Sequence, residues 1–294
     1  MITTKTMNRR IIKHIKPRKA LLYVVMLGLV SFTVLPLVYV VVTSLKPYDE
    51  LFRYPPRFFV ENPTLKNFSD LFGSISASAV PFSRYILNSL VSTLLAVAGT
   101  ILVSSLGAYG LTQHRPVGSK IIMTIVISAL MFSSQVTIIP SYLVIKNVGL
   151  LNSIFSLVLP KLALSFNFFL MERFMSQIPR ELIEAARVDA AGDMVIYWKI
   201  VMPCVRPAWA TLLVFTFISS WNDYISPLMY IFGEDKKTLP LLLQTVGGGV
   251  GTAAISKAGA VAASSFVMIF PTIMIFVLMQ RLVIETMTYS GIKA

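Results

Sequence analysis

Six long apolar runs, separated by polar and proline-bearing segments, set the pattern of this chain. They fall at about 20–45, 86–111, 121–143, 150–171, 208–231 and 259–283. Each is long enough for a helix to cross a hydrocarbon core of about 30 Å. The pattern predicts an all-α polytopic membrane protein with six transmembrane helices. It divides into a basic tail over 1–19, a six-helix domain over 20–283 and a short tail over 284–294.

Composition agrees with the pattern. With 55% hydrophobic and 13% charged residues over 294 positions, the chain is too apolar for a soluble domain of this size. The net charge of +13 does not point to nucleic acid, because the basic residues are scattered over loops rather than gathered on one element. They instead orient the spans. Placing the N-terminus in the cytoplasm leaves sixteen Lys/Arg on that side and nine outside, with Lys161 inside a span. The first apolar run is about twice as long as the core of a secretory signal and lacks a small-x-small cleavage site, so it reads as a retained span with both termini cytoplasmic.

The connection over 46–84 carries Pro47, Pro55, Pro56, Pro63 and Pro81 among aromatics, which predicts an irregular outer cap. Two readings are open for it: a lid, or a docking surface for a binding protein. Pro140 and Pro160 are expected to kink the third and fourth spans. Lys161, beside that second kink, is the one Lys or Arg deep in a span, and it must snorkel, pair or face water. With Gln135, Asn167, Asn222 and Asp223 it forms the candidate substrate path, the amides having interhelical hydrogen bonding as their alternative role. In the stretch Gly247 to Ala263, Gly247 with Gly251 and Ala254 with Ala258 have spacing suited to close backbone contact; a flexible outer loop is the rival reading.

The chemistry of catalysis is absent. No glycine-rich phosphate loop occurs, His14 and His114 have no second ligand at metal spacing, and no carboxylate or nucleophile pair recurs. Neither an enzyme nor a resident cofactor or metal is expected. Cys204 is the lone cysteine, which excludes an intrachain disulfide and predicts inert apolar packing.

The informative stretch is 179–207, between the fourth and fifth runs. Pro179 suits a helix start, and Arg180, Glu184, Arg187 and Ala191 follow at three- and four-residue steps. Ile183, Ala186 and Ala190 line another face. Gly192 is expected to supply a left-handed cap, and Pro203 to stop a second apolar segment. The stretch resembles the EAA signature of membrane subunits of binding-protein-dependent ABC importers: Glu-Ala-Ala, three residues, Gly, nine residues, Ile-x-Leu-Pro. Glu184, Ala185, Ala186, Ile200 and Pro203 match, Asp189 stands where an acid is common, and Ala190 and Met202 replace the Gly and Leu. Trp221, Asn222 and Asp223 resemble a Trp-Asn-acid pattern of the sugar-type branch.

The resemblance, to the smaller permease of maltose- and multiple-sugar-type importers, implies a type I ABC importer permease fold in a bacterial inner membrane. It implies four partners: a second homologous permease, two cytoplasmic ATPase subunits that hold ATP and magnesium, and an extracytoplasmic solute-binding protein. Within the signature it implies that Glu184 is the charged contact to the ATPase, Ala185 and Ala186 the close-packing surface, and Gly192 the turn. An oligosaccharide is the implied cargo, and the basic first outer loop and Lys161 would also suit an acidic, uronate-type one such as alginate fragments. The alternative is an ATP-independent secondary transporter or channel, in which ionisable groups within the membrane carry the coupling.

Overall fold

The computed structural model describes residues 17–76, 80–247 and 258–291. Every regular element among them is helical. Three helices are each long and apolar enough to cross a membrane: α1 (Pro17–Ser44), α4 (Phe82–Tyr109) and α15 (Ala258–Gly291). The other three apolar runs are bent pairs. α5 (Ser119–Ala129) and α6 (Ser134–Asn147) meet at 113°, and α7 (Ile154–Leu162) and α8 (Ser165–Met175) at 45°. The third pair joins Asp193–Cys204, which contains α10 (Asp193–Ile196) and α11 (Met202–Cys204), to α12 (Arg206–Trp221) at 77°.

The breaks do not fall where the prolines suggested. Pro140 lies inside α6, and the 113° turn is made at residues 130–133, where Ser133 takes extended backbone (φ −74°, ψ 150°). One proline removes a single ladder bond, which a packed helix absorbs, whereas an extended residue ends the ladder outright. Pro160 likewise stays within α7, and the chain bends after it, at Ala163 and Leu164. The fifth run also divides: α12 stops at Trp221 and α13 (Ile225–Tyr230) is a separate short helix, followed by α14 (Leu239–Gly247). At the other end, α15 continues past Val283 to Gly291, so the expected tail begins as helix. The glycine-rich residues 248–257 and the basic residues 1–16 lie outside the described set.

α4 is the axis of the bundle, packed by α7, α8 and α12. Its buried positions are mostly small or hydroxylated, among them Ser89, Ser92, Thr93, Ala96, Thr100, Ser104 and Ala108, which recur at three- and four-residue steps. Small residues let helices approach closely where apolar burial supplies no driving force in lipid. Gly99 and Gly107 bring the α7–α8 pair closest: a Cβ on them would lie 2.6 Å from Leu162 and 2.9 Å from Phe168. α1 rests along α15 with its own apolar surface exposed.

The outer connection is more ordered than its proline content predicted. It holds α2 (Tyr48–Leu51) and α3 (Lys66–Ser76), and α3 packs on α15. Buried Asn67 donates to the Ser44 and Lys46 carbonyls at 2.9 and 2.7 Å, closing the end of α1. The Glu50 carboxylate accepts from the backbone of Glu61 and Asn62.

Candidate functional site

The 179–207 stretch folds as a lever with one buried and one bare side. α9 (Arg180–Val188) starts after Pro179, which sits at the N-cap with ψ 135°. Ile183 and Ala186 face inward and are 2% and 9% exposed. They join a core of Ala108 and Tyr109 from α4, Met171 and Met175 from α8, and Tyr197, Val205 and Leu212. One cluster thus ties the lever to three spans. On the outside stand Glu184, Ala185 and Asp189, with the apolar Leu182, Val188, Met194 and Trp198 also exposed. Ala186, expected beside Ala185 as outward contact surface, is therefore part of the inner face.

The turn after α9 corrects the expectation for Gly192. The left-handed residue is Ala190, at φ 56°, the position where the signature has glycine. Ala191 N–H donates to Ala186 O and Ala190 N–H to Arg187 O, both at 3.0 Å. These two bonds form the glycine-type helix ending of a Schellman motif, with alanine in its left-handed place. α6 closes with the same pair of bonds on Gly149, at φ 75°. Gly192 is extended (φ −69°, ψ 155°) and opens α10.

Beyond it, Tyr197–Val201 forms a π-helical turn in which Met202 N–H reaches Tyr197 O. Pro203 follows directly and does not stop the helix, which runs to Cys204 and bends at Val205. Proline has no N–H for the Lys199 carbonyl, and the wider turn absorbs that loss. Ile200 is partly buried against the core, while Pro203 is exposed. Cys204 is also exposed rather than packed.

Polar bonds fasten the lever to α4. Ser105 Oγ and Tyr197 Oη lie 2.5 Å apart, and both residues are fully buried. The Tyr109 hydroxyl donates to Asp193 O at 3.4 Å. The Asp193 carboxylate meets Arg187 at 3.5 Å and His114 at 3.9 Å. His114 is thus placed against the lever instead of standing free in solvent. Asp193, Tyr197, Tyr109 and Ser105 were missed in the sequence because their roles come from contacts across some ninety residues of chain, which no spacing rule carries.

The membrane-path candidates separate. Lys161 and Asp223 come together, Nζ to Oδ2 at 3.0 Å, with side chains 15% and 14% exposed. Asp223 Oδ1 also accepts the Ser226 N–H at 3.0 Å, so one carboxylate caps α13 and holds the lysine of α7. Asn222 is exposed and donates to Ile218 O of its own helix. It lines a cleft of about 510 Å³ with Tyr224, Gln244, Ser264 and Ser265, and none of the described residues lining it is charged. Asn167 is buried with an unpaired Nδ2, and Gln135 is exposed on α6. Neither is among the residues that line this cleft. Trp221 is a packing residue: it is 3% exposed, stacks on Phe217 and donates to Met268 O at 3.0 Å, bolting α12 to α15. Among the described residues no group of His, Cys, Asp and Glu is arranged to hold a metal ion.

Comparisons with known proteins address this architecture directly. Residues 71–287 match the family model described as binding-protein-dependent transport system inner membrane component. The chain is 30% identical over 226 residues to the polygalacturonan/rhamnogalacturonan transport system permease protein YtcP of Bacillus subtilis (strain 168), covering 77% of each chain. It is 32% identical over 228 residues to the sn-glycerol-3-phosphate transport system permease protein UgpE of Yersinia pestis, covering 77% of this chain and 80% of that one. Its fold is similar to the crystal structure of a bacterial ABC transporter involved in the import of the acidic polysaccharide alginate, with a TM-score of 0.76 at 23% identity over 90% of this chain and 96% of that one. With the family model spanning most of its length, the chain belongs to the binding-protein-dependent transport system inner membrane components.

Proposed function

We propose that this chain forms half of the translocation path of an ATP-driven carbohydrate importer and that the α9–α10 lever is its contact with the ATPase. The observation that carries the reading is the two-sidedness of the lever. Ile183 and Ala186 anchor it in a core shared with α4, α8 and α12, while Leu182, Val188, Met194 and Trp198 stand bare, as does Glu184. Exposed apolar side chains on a membrane protein's aqueous loop are stabilised by a protein partner. A docked partner that moves this knob moves three spans with it.

In this reading a second homologous permease completes the path, two ATPase subunits bind ATP and magnesium, and a solute-binding protein delivers the cargo outside. The lever and both termini face the cytoplasm of a bacterial inner membrane, in keeping with the sixteen-to-nine distribution of Lys/Arg. The cargo class is an oligosaccharide. The hydroxyl- and amide-lined cleft at Asn222, Tyr224 and Gln244 suits it, and the similarity to YtcP favours uronate-containing chains.

The test is ATPase activity of the complex purified through this chain, with Glu184→Arg as comparison. The expected result is copurification of an ATPase whose hydrolysis responds to the binding protein and is released or uncoupled by the substitution. Uptake driven by an ion gradient with no copurifying ATPase would overturn the reading.

A further inference from the structure

On the face of the bundle that carries the lever, a polar pocket of about 310 Å³ opens between the turn after α4 and the turn joining α8 to α9. Three cations line it: Arg115, Lys120 and Arg180. All three are exposed, and none makes an ion pair among the described residues. This sets them apart from Arg53, Arg57, Lys161, Arg187 and Lys237, each of which meets a carboxylate. Like charges gathered around one hollow repel each other, and the one carboxylate of the lining, Glu172, pairs with none of the three.

Two helix beginnings add to the positive field. α5 starts at Ser119 and α9 at Arg180, both pocket residues, and the N-cap residues Gly118 and Pro179 make no side-chain cap. Ser119 N–H is taken by Pro116 O at 3.0 Å, so these helix beginnings contribute the positive end of their dipoles rather than a set of free donors. One feature goes the other way. The Glu172 carboxylate also lines the pocket, is 14% exposed, and its Oε2 accepts no hydrogen bond; its nearest cation is Arg173 at 3.8 Å. The occupant must therefore offer an anion to the cations and a donor to Glu172. Hydrogen phosphate at neutral pH keeps an O–H and also meets both demands, so a free anion and a headgroup share this chemistry and the test separates them.

The surroundings identify the source. The pocket lining also includes Leu111, in the turn after α4, and Met123, in the first turns of α5. Met175 and Ile178 add to this apolar part of the lining, which places an apolar surface for the lipid beside the cations. Basic pockets between spans at the cytoplasmic boundary bind anionic headgroups. We propose that this pocket seats the headgroup of one phosphatidylglycerol-type phospholipid, its phosphodiester held by Arg115, Lys120 and Arg180 and its glycerol hydroxyls donating to Glu172. The proposal rests on the chain spanning a membrane, and it stands independently of what the lever docks against.

The test is native mass spectrometry of the complex purified through this chain, incubated in detergent with phosphatidylglycerol, phosphatidylethanolamine or phosphatidylcholine. The expected result is a phosphatidylglycerol adduct retained in preference to the two zwitterionic lipids. Each of Arg115→Gln, Lys120→Gln and Arg180→Gln weakens it about fivefold, and all three together about a hundredfold. Arg115→Lys keeps most of the binding, and Arg53→Gln, outside the pocket, leaves it unchanged. Equal retention of all three lipids, or an unchanged adduct in a triple variant that still elutes as a folded complex, overturns the proposal. So does displacement of the lipid by millimolar inorganic phosphate, which would mark a free-anion site. Loss of ATPase subunits from the triple variant with the lipid adduct intact assigns the cations to a protein partner and also overturns it. Failure of the importer reading would show differently, as absence of the ATPase with lipid selectivity unaffected.

Discussion

Lys161 Nζ lies 3.0 Å from Asp223 Oδ2, joining α7 to the segment between α12 and α13, with both side chains about 85% buried. Removing one partner of such a pair leaves an uncompensated charge in a poorly solvated place and costs about 3–5 kcal/mol. Lys161→Met is therefore expected to lower the thermal stability of the purified complex sharply. Lys161→Met combined with Asp223→Asn, which keeps an acceptor for Ser226 N–H, should recover most of the loss. A double variant no more stable than the single one would show that Lys161 acts on something other than Asp223.

Ala190 and Gly192 invite the opposite pair of substitutions. An alanine in the left-handed region costs about 1–2 kcal/mol, which Ala190→Gly relieves. Gly192 has a backbone any residue adopts, and a Cβ there meets nothing within 4 Å. Gly192→Ala should change stability by less than about 0.5 kcal/mol, because lost chain entropy in the unfolded state and a weaker N-cap nearly offset each other. Chemical denaturation of the two variants gives the order directly. Greater damage from Gly192→Ala than from any change at Ala190 would restore Gly192 as the turn.

These two sites mark the boundary of what the sequence could convey. The six apolar runs are legible because bilayer thickness imposes their length, and α1, α4 and α15 follow them closely. The break at residues 130–133 carries neither glycine nor proline, and its one local signal is Ser133, a residue type that favours the extended position before a helix. Lys161 was conspicuous as a deep cation, but its partner is 62 residues away and only the fold brings it near. Gly192 drew attention by composition, whereas the hydrogen bonds closing α9 decide which residue turns, and they select Ala190. The register of the EAA signature pointed to that position even with its glycine replaced.

Tyr197 tests whether the lever transmits motion to α4. Its hydroxyl and Ser105 Oγ share one hydrogen bond inside a closed core. Tyr197→Phe leaves the ring packing against Tyr109 in place and removes that bond, at a cost of about 1 kcal/mol. The expected outcome is near-normal ATPase copurification with weaker stimulation of hydrolysis by the binding protein. Ser105→Ala should reproduce it, since the two residues act through the same bond. Loss of the ATPase in either variant would indicate that the bond shapes the docking surface instead.

The cleft beside Asn222 bears on how an acidic cargo is read. Its described lining holds Tyr224, Gln244, Ser264 and Ser265 with no charged side chain among them, and the cation Lys161 is paired with Asp223. Hydroxyls and amides set among Pro240, Leu243, Val261, Met268 and Ile269 bind the hydroxyls and apolar ring faces common to all glycans, and none of the described groups distinguishes a carboxylate from a hydroxymethyl group. Gln244→Leu removes one hydrogen-bonding group and should slow uptake about five- to tenfold. The slowing should be equal for uronate and neutral oligosaccharides, with basal ATP hydrolysis unchanged. In the importer proposed above, charge selection then belongs to the binding protein or the second permease. If Gln244→Leu impaired uronate uptake alone, or Lys161→Met abolished uronate uptake while sparing neutral sugar in a stable complex, selection for the acid would lie in this chain after all.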